Sequence, residues 1–109
     1  MIPASDIKFL HEVILPALRI RKQVNIVWSD SARIYPDVWT DSKTIWVTRE
    51  WLHHNYHERR KRLLHECLHL RGLSHGVRGG YMFSTDPTTD TFSMHMYNQI
   101  IGKQVYRGV

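Results

Sequence analysis

The chain is poor in the features that would staple it, anchor it or divide it. It has one cysteine, Cys67, so no disulfide can form within it, and a single thiol suits a reducing compartment. No apolar run approaches the roughly 20 residues that cross a bilayer. Residues 1–6, Met1-Ile2-Pro3-Ala4-Ser5-Asp6, hold neither the basic segment nor the apolar stretch of a signal peptide. These absences predict a cytoplasmic chain with no membrane partner. There are only six glycines and four prolines among 109 residues, with no repeat or low-complexity tract, so no linker is visible where a second domain would begin. One domain over 1–109 is expected. Glutamate is absent after Glu66, and the later carboxylates are Asp86 and Asp90.

What the chain does have is concentrated in His65-Glu66-Cys67-Leu68-His69-Leu70-Arg71-Gly72-Leu73-Ser74-His75. Its pattern, H-E-x-x-H-x-x-G-x-x-H, arises by chance in about one chain in ten thousand of this length and His content. On a helix, residues i and i+4 share a face, so His65 and His69 can offer their nitrogens to one metal ion. Glu66 stands roughly 100° further round, beside the metal and suited to take a proton from the attacking water. Gly72 permits the left-handed backbone that ends a helix, after which His75 can return as a third ligand. Three histidines leave a fourth tetrahedral position open, the arrangement of a catalytic zinc site. Leu63, Leu64, Cys67, Leu68 and Leu70 give the same helix an apolar arc, and Cys67 is expected to pack there as a small core residue.

The remaining histidines lack this spacing. His53, His54 and His57 fall on a presumed surface helix, and His11 and His95 have no partner. The net charge of +5 comes largely from Arg19-Ile20-Arg21-Lys22 and Arg59-Arg60-Lys61-Arg62. The first run fits the end of an opening helix, where cations complement the dipole. The second lies near a helix start and reads either as a solvated face or as a patch for an anionic substrate or nucleic acid.

Ser5 and Asp6 are expected to cap a helix running to about Lys22, with Pro16 kinking it. Val24–Trp28 and Thr44–Thr48 read as strands, with a short second strand, broken by Pro36, between Arg33 and Trp39. Asp41-Ser42-Lys43 reads as a turn. A helix starts near Thr48 or Arg49, and it or a successor carries the histidines from about Glu58 to Leu73. Phe92, Met96 and Ile100 keep helical spacing in a final helix capped by Asp90 or Thr91. The order predicts an α+β domain: N-terminal helix, small two- or three-stranded sheet, active-site helix, C-terminal helix.

The eleven-residue run resembles the extended zinc signature of the metzincin metallopeptidases, matching it at His65, Glu66, His69, Gly72 and His75. In size the chain is more similar to the minigluzincins, minimal zinc peptidases whose third ligand is a downstream glutamate that this sequence lacks. The resemblance implies a zincin-like domain and a zinc-dependent metallopeptidase. Its Zn2+ would be held by His65, His69 and His75, Glu66 would be the general base towards a metal-activated water, and peptide or protein would be the substrate. It also implies a methionine turn beneath the metal, for which Met82 is preferred to Met94 and Met96, and a strand, residues 43–48, along which an extended substrate pairs. Tyr81 is a candidate for contacting a developing oxyanion or the substrate. Two other functions are carried forward. A bacterial metal-dependent endoribonuclease family with H-x-x-L-H-x-x-G-x-D-H is matched at His65, Leu68, His69, Gly72 and His75, but Ser74 replaces its Asp and Glu66 a small residue. A latent or non-catalytic zinc module, its cleft blocked by residues 86–109, is the third.

Overall fold

The computed structural model describes residues 1–31, 36–72 and 95–101. Helices α1 (Ala4–Phe9), α2 (Leu15–Ala17), α3 (Arg49–Leu52) and α4 (Tyr56–Leu70) accompany strands β1 (Asn25–Trp28), β2 (Val38–Asp41) and β3 (Thr44–Val47). Residues 95–101 are helical as well. The architecture is α+β, with a three-stranded mixed sheet against the helices. Among the described residues no helix is long and apolar enough to cross a membrane.

The opening helix differs from expectation at both ends. It begins at Ala4 behind Pro3, without a side-chain cap, and its last α-helical residue is Ala17. Between α1 and α2 the helix widens into a π turn over Leu10–Ile14, closed by Leu15 N–H to the Leu10 carbonyl. Pro16 explains the position: it has no N–H for the Glu12 carbonyl and its ring crowds that oxygen, so the turn before it opens. Arg19 then takes a left-handed φ of 55° and the chain leaves the helix. The basic run 19–22 therefore does not line that helix's last turn. Instead Lys22 Nζ donates to the Leu70 carbonyl at the end of α4 (3.4 Å). Arg71 Nε returns a bond of 2.9 Å to the Leu18 carbonyl at the end of α2. Each helix end has its carbonyls served by a cation from the other.

The strands begin and end within a few residues of where they are expected, but their order comes from outside the local sequence. The sheet runs β1-β3-β2. β1 pairs parallel with β3, Ile26 opposite Ile45, and β2 pairs antiparallel with it, Thr40 opposite Ile45. β2 starts only after Pro36, whose missing N–H cannot serve a ladder. Asp41 belongs to the strand, so the hairpin turn is Ser42-Lys43, with Ser42 at φ 57°. Alternation puts Val38, Ile45 and Val47 on the face towards the helices, all buried. Trp39 and Trp46 stack on the opposite face, ring centroids 6.1 Å apart.

Helix α4 starts two residues before the expected Glu58. The Asn55 side chain caps it by accepting from Glu58 N–H at 2.9 Å. Leu63, Leu64, Cys67 and Leu68 pack into one core with Leu10, Ile14, Ile45, Val47 and Trp51, all essentially without exposure. From the final helix, buried Tyr97 and Ile100 join the same cluster, with Met96 partly buried beside them.

Candidate metal centre

The last two turns of α4 bring His65, Glu66 and His69 together, as i, i+4 geometry requires of the histidines. Their Nε2 atoms face each other at 3.0 Å, with the rings nearly perpendicular at 83°. A carboxylate oxygen of Glu66 joins them, all three ligand atoms lying within 4.8 Å of one another. In a tetrahedral zinc site two nitrogens stand about 3.3 Å apart. The observed spacing needs a few tenths of an ångström of opening, which rotation of either ring supplies. The donor set therefore fits a small divalent cation.

His65 and Glu66 are nearly buried, at 8% and 7% exposure. Glu66 lies against β2, where the polar groups of Thr40 favour its charged form. Strand parity agrees with this placement. The Thr48 N–H donates to the Asp37 carbonyl at 3.1 Å, so odd-numbered residues of β2 bond to β3. Val38 and Thr40 must then direct their N–H and C=O groups away from β3, and α4 packs on that strand.

Burial pushes the Glu66 carboxyl up to about 8, the nearby Asp37 charge adding to the rise and the polar groups of Thr40 opposing it. The folded state thus holds this proton more tightly than the unfolded chain. Its stabilising contribution is full below about pH 4.5 and is lost as pH rises towards about 8. With a chelator present, wild-type stability is expected to fall across that window. Glu66→Gln should flatten the fall and gain roughly 2–4 kcal/mol at pH 8. Urea melts at pH 5 and pH 8 measure this, and equal slopes for the two proteins would disprove it.

Asp37 organises the surroundings of the site. It accepts from Arg62 at 3.2 Å and pairs with His54 Nε2 at 2.9 Å, while its carbonyl takes the Thr48 hydroxyl at 2.8 Å. It fastens the start of β2 to α3 and α4 at once. His54 is accounted for by this pairing, and His57 by Tyr97, whose hydroxyl is 2.8 Å from Nδ1. His11, His53 and His95 are exposed or half-exposed, away from the three clustered groups. Cys67 is buried, and burial beside Glu66 pushes its thiol up to about 12, so it is core and not a nucleophile.

Two expectations change. The strand of residues 43–48 cannot receive a substrate, because both edges of β3 are already paired. Among the described residues β2 is the edge strand next to α4. The basic run 59–62 is neither a solvated face nor an open anion patch. Arg59 and Arg60 converge on the fully buried Asp6, Nε to carboxylate at 2.6 and 3.0 Å. Lys61 and Arg62 pair with Glu58, and Arg62 also with Asp37. Asp6 is thus the buried partner of two guanidiniums, not a helix cap.

Gly72 follows the helix at φ 107°, a conformation only glycine adopts readily, with open space where a Cβ would stand. His75, Tyr81 and Met82 lie outside the described residues, as do Met94, Asp86, Asp90 and Thr91. Thr40 and Asp37 were not visible from the motif. Thr40 did leave one signal: in Val38-Trp39-Thr40 it shares the core-facing parity of Val38, where a polar side chain needs a partner. No protein-family model, curated protein or solved structure matches the chain.

Proposed function

We propose that the chain is a zinc-dependent metallopeptidase of zincin type, with His65 and His69 as ligands from α4 and His75 as the third by its place in the motif. The observation that carries the reading is the clustering of two Nε2 atoms and the Glu66 carboxylate at the end of α4, with Glu66 buried and His69 partly exposed. Zinc held there would act as a Lewis acid towards the scissile carbonyl and acidify the attacking water. Glu66 accepts the water proton and passes it to the leaving amine. Water is the attacking group, so no serine or cysteine nucleophile is required.

The internal pairing of Arg59 to Arg62 supports peptide over nucleic acid, since these cations already have acidic partners. The test offers the protein an unfolded polypeptide and a labelled RNA, with zinc and with chelator. Zinc-dependent proteolysis with intact RNA is expected. RNA cleavage while the peptide survives would transfer the site to the endoribonuclease reading, and zinc binding with neither cleavage to a non-catalytic module.

Zinc should also stabilise the fold. At a free concentration a hundred times the dissociation constant the gain is about 2.7 kcal/mol, a rise in Tm on the order of 10 °C for a domain of this size. His69→Ala should abolish the rise. A shift that persists in that variant would show zinc held elsewhere.

A further inference from the structure

We infer that Arg71 is a positioning residue for the metal centre: its bond to the exit of the first helix fixes the last turn of α4, and with it His69, beside His65. The role rests on the metal-binding part of the reading above and not on its peptidase chemistry.

The two histidines are not held alike. His65 lies in the buried body of α4, whereas His69 stands one residue before its last, Leu70, and is partly exposed. A helix end frays, because its last carbonyls have no partner a turn further on. A last turn that opens carries His69 away from His65, whose Nε2 it faces at 3.0 Å.

Here the end is closed from two sides. The Arg71 N–H is shared between the Cys67 and Leu68 carbonyls at 2.9 and 3.1 Å, and the Gly72 N–H donates to the His69 carbonyl at 3.0 Å. The next carbonyl, that of Leu70, takes its donor from another element, Lys22 Nζ at 3.4 Å. The Arg71 side chain bonds in the other direction, Nε to the Leu18 carbonyl at 2.9 Å, across 53 positions of sequence. Of these two long-range bonds, that of Arg71 is the shorter and the less exposed.

Its acceptor is itself fixed. Leu18 N–H donates to the Ile14 carbonyl at 3.0 Å, and Ile20 N–H to that of Leu15 at 2.9 Å. Leu15, Leu18 and Val24 are buried in the core cluster that also holds Leu64, Cys67 and Leu68. The guanidinium therefore ties the turn that carries His69 to backbone that the same core already holds still.

Electrostatics and positioning predict opposite signs. Arg71 places a positive charge two residues from His69, so by Coulomb repulsion alone its removal should favour a dication. Arg71→Met keeps the apolar stem and removes charge and donor. It should weaken zinc binding about tenfold, the lower end of the range for groups that orient metal ligands. Arg71→Lys restores a cationic donor and should recover most of the affinity. Competition with a chromophoric chelator measures both on folded protein, where a change in global stability does not move the constant. Unchanged or tighter binding in Arg71→Met overturns the positioning role, as does an equal loss in both variants.

A second readout needs no metal. In chelator-treated protein, Arg71→Met should speed amide exchange at Ile20 and Gly72, the two helix exits, roughly threefold or more, with buried Ile45 unchanged. The Gly72 rate is corrected for its altered neighbour. Unchanged exchange at both exits refutes the clamp whatever the metal result. A wild-type protein that binds no zinc removes the metal reading, and exchange alone then decides whether Arg71 holds the turn.

Discussion

If the chain is the zinc peptidase proposed above, Glu66→Gln should lower kcat for peptide hydrolysis about a thousandfold while the protein keeps its zinc. General acid–base groups contribute roughly 10²- to 10⁴-fold, and glutamine removes that function with little change of shape. It cannot take a proton from water, and the chemical step loses its base. His65 and His69 are untouched, so the zinc-dependent rise in Tm should match that of wild type. Metal content measured beside turnover separates the two effects. Activity near wild type would remove Glu66 from the mechanism and with it the main reason for preferring a peptidase to the endoribonuclease. The same variant should gain stability at pH 8 with a chelator present, because it no longer buries a carboxyl that must ionise. A group that destabilises the fold while serving the reaction is a common trade at functional sites.

The largest expected loss of stability lies far from the histidines. Asp6→Ala should destabilise the protein by about 3–5 kcal/mol, the usual consequence of removing one partner from a buried ion pair. Asp6 is fully buried and takes Arg59 Nε on one oxygen and Arg60 Nε on the other. Both guanidiniums are themselves largely buried. They pack over aromatic rings, Arg60 at 4.7 Å from the Phe9 centroid and 5.0 Å from Tyr56, Arg59 at 5.9 Å from Trp51. With alanine at position 6 the two charges keep their apolar surroundings and lose the carboxylate that compensates them. A Tm drop on the order of 15 °C follows for a domain of this size. A cost below about 1 kcal/mol in urea melts would mean that the arginines turn out to water, and that the pair is not what joins α1 to α4.

These two residues show how unevenly the sequence discloses the molecule. Glu66 could be placed from its neighbours alone, because helical geometry fixes its angle to His65 and His69. The start of α3 behind Thr48, the hairpin at Ser42-Lys43 and the exit at Gly72 were legible for the same reason: caps and turns are chemistry among residues a few positions apart. Asp6 was misread as a cap for want of any local sign that Arg59 and Arg60, 53 and 54 positions away, would reach it. The run from Arg59 to Arg62 was misread with it, since a cation's partner cannot be told from the cation. The resemblance implies a substrate strand at residues 43–48, but β3 is paired on both edges. Its central place follows from a parallel partner, β1, whose register no turn dictates.

By itself, then, the sequence determined which side chains can meet on one helix face: His65 with His69, Glu66 beside them, and the apolar arc that buries the helix. Spacing along an α-helix is a covalent and hydrogen-bonded constant, so those relations hold wherever the helix lies. Tertiary structure alone decided what stands opposite that face. It placed β2, with Thr40, against the helix that carries Glu66, and Asp6 between two arginines. Each of these depends on how separate elements pack, and packing is settled by the shape and polarity of the whole core, not by any stretch of chain within it.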